Sequence, residues 1–145
     1  MAANALHMFD DEGLGSFDTP AKAPVLGLST GVLGFDAVQR KISGLMQLQP
    51  GWDSYGSRAI SHDAAETALD AIGQLAFGGL EIPEIFPTPR GGIQAEWRDG
   101  ARSLEVEFLS PTSIEVLFVD EASGEEEEMS LDFDIVPLFT YASRF

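Results

Sequence analysis

The stretch IQAEWRDGARSLEVEFLSPTSIEVLFV, Ile93 to Val119, decides the fold. Side chains alternate sides along a β-strand, so a strand with one wet face shows apolar residues at every second position. Ile93, Ala95 and Trp97 fall on one side, with Gln94, Glu96 and Arg98 on the other. Asp99-Gly100 is a tight-hairpin signal, because glycine accepts the positive φ of such turns. The next strand, Ser103 to Leu109, turns Leu104, Val106 and Phe108 inward and Glu105 and Glu107 outward. Ser110-Pro111-Thr112 is a turn, and Ser113 to Val119 follows with Ile114, Val116 and Phe118 inward. Its other side, Glu115, Leu117 and Val119, is less polar.

Downstream, residues 120–128 are expected to be an acidic loop around Gly124. A fourth strand is expected over Met129 to Ile135, with Met129, Leu131, Phe133 and Ile135 inward and Ser130, Asp132 and Asp134 outward. Pro137 ends the alternation. Upstream, Pro83, Pro87 and Pro89 forbid helix and central strand, so that stretch is expected to be an extended connector, with at most one edge contact at Ile85 and Phe86.

Two helices come first. Phe35, Val38, Ile42, Leu45 and Met46 recur at helical spacing over about 34–48, and Pro50-Gly51 stops them. A second helix is expected over about 62–77. Ser61 is its N-cap, Asp63 lies in its first turn, and Ala65, Ala68, Leu69, Ile72 and Leu75 or Ala76 form its buried stripe. Gly78-Gly79 ends it. The expected fold class is α+β: two N-terminal helices on one face of a four-stranded antiparallel meander. Residues 1–33, cut by Gly13, Gly15, Pro20, Pro24, Gly27 and Gly31, are expected to be a flexible arm. The alternative is a segment that folds onto the domain or a partner, given Phe9 and Phe17 among acids. The domain is expected to span 34–136, with a C-terminal tail over 137–145.

The charge is polarised. The 145 residues carry 24 Asp and Glu against 8 Lys and Arg, a net charge of −16. Ser103 to Ser143 holds eleven acids and no base. Such a chain is poorly suited to bind a phosphate backbone, where Lys and Arg must displace counterions, so no direct nucleic-acid binding is expected. No apolar run reaches the roughly 18 residues of a membrane span, so no membrane partner is expected. The absence of cysteine excludes disulfides and thiol catalysis and fits a cytoplasmic location.

Catalytic residue types are scarce. His7 lies in the arm and His62 opens the second helix. Ser61-His62-Asp63 are consecutive, whereas a triad must converge in space, so a capping or surface role is expected. Glu105 with Glu107, and Asp132 with Asp134, pair carboxylates on one sheet face that could hold Ca²⁺ or Mg²⁺ weakly. A metal nuclease would also want a nearby lysine, and Lys22 and Lys41 both precede the sheet. No cofactor is expected, and no phosphate-binding glycine motif is present.

Between the helices lies Gly51-Trp52-Asp53-Ser54-Tyr55-Gly56. One reading has Trp52 plugging an end of the core while Asp53 bonds loop amides or Arg58. The other makes Trp52, Asp53 and Tyr55 an anchor for a partner, since Trp and Tyr dominate binding hot spots. This loop, the helix opening at Ser61, and Pro87-Thr88-Pro89-Arg90-Gly91-Gly92-Ile93-Gln94-Ala95-Glu96-Trp97 resemble a group of small, mostly uncharacterised bacterial proteins. That group has a Gly-Trp-Asp loop and a Gly-Gly-x-x-x-Glu-Trp strand. The resemblance covers roughly residues 45 to 120 and implies no nameable enzymatic activity.

The expected function is a non-catalytic module that neutralises a basic protein partner, in the manner of antitoxins, immunity proteins or phage inhibitors. Its candidate surface is Trp52, Asp53, Tyr55, Glu96, Glu105, Glu107, Glu115, Asp132 and Asp134. In a sharper form the carboxylates of the sheet and of Glu125 to Glu128 mimic nucleic acid, and the partner is a nucleic-acid-binding protein. Two alternatives stay open: a divalent-metal enzyme using the acidic face, and a homodimer or structural subunit using Leu117, Val119 or a sheet edge.

Overall fold

A computed structural model describes residues 34–145. The expected arm over 1–33 lies outside them. Helix α1 spans Phe35–Leu45 and buries Val38, Ile42 and Leu45, as the spacing predicts. Helix α2 spans His62–Phe77. Its start is fixed by Ser61 Oγ, which accepts the Ala64 amide at 3.0 Å and so satisfies one of the unpaired amides of the first turn. Its end is fixed by Gly79, at φ 109°, which lets the Leu80 amide reach back to the Leu75 carbonyl. Five alanines, Ala64, Ala65, Ala68, Ala71 and Ala76, join Ile72 and Leu75 on its buried side, and such small side chains let α2 sit close to the sheet.

The sheet is antiparallel with five strands in sequence order: β1 (Glu84–Pro87), β2 (Ile93–Asp99), β3 (Arg102–Ser110), β4 (Ser113–Asp120) and β5 (Glu125–Leu131). Helices α1 and α2 cover one face, α1 over β1 and α2 over β2 and β3. Leu104, Val106, Phe108 and Phe118 are fully enclosed on that face. Each such side chain contributes about 1.5–3 kcal/mol by leaving water.

Three expectations need correction. The proline-rich connector is a real edge strand, with Ile85 opposite Ala95 and Pro87 opposite Ile93. Proline cannot donate a ladder hydrogen bond, and an edge position needs donors on one side only. The fourth meander strand starts earlier than expected: Glu125 to Glu128 pair with Asp120 to Leu117 as β5, and the ladder ends at Leu131 opposite Ile114. Past it the chain bends away, with Phe133 at φ 61° and its amide on the Pro111 carbonyl. Phe133 is therefore exposed rather than inward, and Met129 is only partly covered. The expected tail is a third helix, α3 (Val136–Ala142), whose Leu138 and Tyr141 are buried. Tyr141 stacks on Phe118 with ring centroids 5.5 Å apart. The core thus extends past residue 136.

Candidate functional site

The exposed sheet face is built from cross-strand rows. Residues directly opposite across a ladder share a face. The register therefore sets Glu84, Glu96, Glu105, Leu117 and Glu128 side by side across all five strands. A second row holds Phe86, Gln94, Glu107, Glu115 and Ser130. A third holds Arg98, Ser103, Val119 and Glu126. With strands about 4.8 Å apart, the first row spans about 19 Å. Between the rows lies an open depression of about 450 Å³, lined in part by Glu105, Glu107, Glu115, Leu117, Glu128 and Ser130.

Two arginines sit among these acids. Arg98 approaches Glu96 and Glu105 at 3.8 and 3.9 Å, loose contacts at a largely exposed side chain. Arg90 is closer: its Nη2 donates to Glu107 Oε1 at 2.5 Å and to Glu115 Oε2 at 2.6 Å. Burial pushes the Glu107 carboxyl up, but Arg90 and the Thr88 hydroxyl outweigh it and hold the group below its ordinary range. Glu107 and Glu115 in turn push the Arg90 pKa further up, so the pair is ionic under all ordinary conditions.

Of the sheet acids singled out from the sequence, Glu96, Glu105, Glu107 and Glu115 share this face. Asp132 and Asp134 do not, because β5 ends at Leu131. Asp134 Oδ1 instead accepts the Val136 amide at 2.9 Å, at the entry to α3. Glu84 belongs to the face although the sequence did not single it out, and Glu126 and Glu128, expected on an acidic loop, belong to it as strand residues. Glu84 hid in the proline-rich run and the other two in what looks like a loop. The remaining two glutamates of β5 point the opposite way. Glu127 lies opposite the inward Phe118, and Glu125 opposite Asp120. Both are paired with Arg144, whose guanidinium also lies 4.0 Å over the Phe118 ring.

The Gly51–Gly56 loop is a separate place. Asp53 Oδ1 accepts the amides of Tyr55 at 2.8 Å and Ser57 at 3.2 Å. The Ser57 hydroxyl and the Tyr55 amide hold its carboxyl below the usual range. Trp52 is half-buried and gives its indole N–H to the Arg58 carbonyl at 3.0 Å. It closes the loop on itself, while the tryptophan of the core is Trp97, whose indole N–H goes to the Glu81 carbonyl. Tyr55 is 91% exposed and is the one aromatic of this loop free to meet a partner.

The two motifs meet in space. The Arg58 amide bonds the Pro89 carbonyl, and the Ser61 amide bonds the Gly91 carbonyl, each at 3.0 Å. Gly91 has φ 86°, and a β-carbon there would lie 2.8 Å from the Ala59 carbonyl oxygen. The segment Arg58 to Ser61, which Trp52 joins through its bond to the Arg58 carbonyl, thus packs against the Pro-Arg-Gly-Gly turn, whose Arg90 reaches the acidic face.

Ser61 is committed to its cap, and His62 is exposed beside Glu66 at 3.9 Å, so Ser61-His62-Asp63 does not converge as a triad. Among the described residues, no group of three or more Asp, Glu or His side chains is disposed to hold a metal ion. No helix there is long and apolar enough to cross a membrane. No family model, curated protein or solved structure matches the chain.

Proposed function

We propose that the protein is a binding module whose outer sheet face takes a basic surface of another protein. The carrying observation is the row Glu84–Glu96–Glu105–Leu117–Glu128, with Glu107 and Glu115 beside it and, among the described residues, only Arg90 and Arg98 opposing them. Keeping like charges adjacent on neighbouring strands costs a few tenths of a kcal/mol per pair. That cost is recovered when cationic side chains dock between them. The field of such a face steers a basic partner and speeds association. Leu117 within the first row and Phe86 within the second add apolar contact for aliphatic stems of Lys and Arg.

In the sharper form of this reading, the carboxylates stand in for phosphates and the partner is a nucleic-acid-binding protein. The strand-edge dimer has less support, since the free edge of β5 carries Glu125 to Glu128 and two such edges would repel.

The test uses an arginine-rich peptide as a probe against the full-length chain. Binding is expected to weaken steeply between low and physiological salt. It is expected to drop at least tenfold when Glu96, Glu105 and Glu128 are together changed to Gln. Salt-independent binding, or binding unchanged in the triple variant, overturns the proposal.

A further inference from the structure

The two edges of the sheet are built differently. An edge strand presents a row of unpaired N–H and C=O groups, and proteins guard it with brevity, proline, lysine or a bulge. Strand β1 has such guards: it is four residues long, follows Pro83 and ends at Pro87. Strand β5 has none of these. It runs for seven residues without proline or lysine, in unbroken register against β4 from Glu125 opposite Asp120 to Leu131 opposite Ile114. Among the described residues no second strand pairs with it, and Glu126, Glu128, Met129 and Ser130 are exposed. What guards this edge is negative charge. Glu125 and Glu127, on the core side, are met by Arg144. Glu126 and Glu128, on the outer side, have no ion pair among the described residues.

We infer that β5 takes an extended basic segment of the partner as a sixth strand. This rests on the reading of the outer face as the site of a basic partner, and it names the form the partner takes there. The segment's backbone fills the open hydrogen-bonding groups of β5, which is where strand addition gets its affinity. Side chains alternate along a strand, so the residues opposite Glu126 and Glu128 are two apart, about 6.8 Å along the segment, and both lie on the outer face. Opposed β-carbons come within about 4.5–5.5 Å, so Lys or Arg at those two positions neutralises both glutamates. The first row then runs Glu84, Glu96, Glu105, Leu117, Glu128 and a cation of the partner. The same charge turns away acidic segments and a second copy of β5, so the edge is selective where that of β1 is closed.

The probes are a short peptide alternating threonine and arginine, and a twin with its internal backbone amides N-methylated. The twin keeps the charge and loses the backbone donors. With the full-length chain at low salt, the parent peptide is expected to bind at least tenfold more tightly than the twin. It is also expected to slow hydrogen exchange at β5 amides and leave β1 amides unchanged. Glu126→Lys is expected to weaken that binding at least tenfold. Glu84→Lys makes the same charge change at the opposite edge and is expected to weaken it far less. Both side chains are exposed, so both variants keep the core, which circular dichroism verifies. Equal binding of the two peptides, with Glu126→Lys and Glu84→Lys equally harmful, overturns strand addition and leaves the acidic face standing as a charge-reading surface. Binding of neither peptide overturns both.

Discussion

Arg90 Nη2 lies 2.5 Å from Glu107 Oε1, bringing a turn residue of the β1–β2 connection onto the middle strand of the sheet. The Glu107 side chain is mostly enclosed, so its carboxylate depends on that partner. Its pKa in the folded state is below the 4.5 of an unperturbed Glu. A lowered carboxyl contributes stability that is fully present above the unfolded pKa and is lost as pH falls through the folded one. Glu107→Gln should therefore lower stability at pH 7 by about 1 kcal/mol. The gap from the parent protein should begin to shrink below about pH 4.5 and close further as pH drops through the lowered value. Urea denaturation of both proteins at pH 7 and pH 3 checks this, and an equal gap at both values would sink it.

The same arginine gives a prediction in which stability and binding move in opposite directions. Arg90→Ala removes both bonds to Glu107 and Glu115, so melting temperature should fall by a few degrees. The outer face loses one of its two opposing cations, so an arginine-rich peptide should associate faster at low salt. Stopped-flow association rates measure it. A variant that is both less stable and slower to bind would mean that Arg90 organises the face instead of masking it.

The turn between β1 and β2, where it packs on β3, should be intolerant of a side chain at Gly92. At Gly92 a β-carbon would sit 2.8 Å from Leu109 Cδ2 and 2.9 Å from both the Phe108 carbonyl and Thr88 Oγ1. Two of those neighbours are fixed by the β3 backbone and by a buried threonine, so the backbone must shift. Gly92→Ala should cost about 2–4 kcal/mol, whereas Gly124→Ala, at φ 77° with nothing nearby, should cost only about 1 kcal/mol. Chemical denaturation ranks the two, and equal losses would show the close approach at Gly92 to be relieved at no cost.

How far the sequence discloses this fold depends on where each residue's partner lies. Helix α2 was readable to the residue because Ser61 and Gly79 are local signals within one turn of its ends. Strands β2, β3 and β4 were readable because alternation and Asp99-Gly100 are also local. Strand β5 was not. Four consecutive glutamates look like a loop, and the alternation of Leu131, Phe133 and Ile135 pulls the expected strand four residues downstream. What makes a strand of Glu125 to Glu128 acceptable is Arg144, seventeen and nineteen residues away from Glu127 and Glu125, on a segment that looks like a tail. The acidic face was legible at Glu96, Glu105, Glu107 and Glu115. It was misassigned at Asp132 and Asp134 because that strand was placed too late.

Arg144 is therefore the residue on which the C-terminal end of the fold turns. Its guanidinium meets Glu125 and Glu127 and covers Phe118, and its carbonyl accepts Arg102 Nη1 at 2.6 Å. Removing it strips one cation from two core-facing carboxylates and uncovers an aromatic ring. The loss combines two solvent-screened ion pairs with a cation–π contact. Arg144→Ala should lower the denaturation midpoint and loosen β5 and α3 together. Arg144→Lys should recover only part, because a single ammonium cannot fork between two carboxylates and lie flat on a ring. Changing Glu125 and Glu127 to Gln in the Arg144→Ala background should give back some stability, since it removes the uncompensated charge. Hydrogen exchange at β5 amides, read with denaturation midpoints, separates these cases. Full recovery by lysine would show that charge alone matters, and that the flat packing of Arg144 on Phe118 contributes nothing.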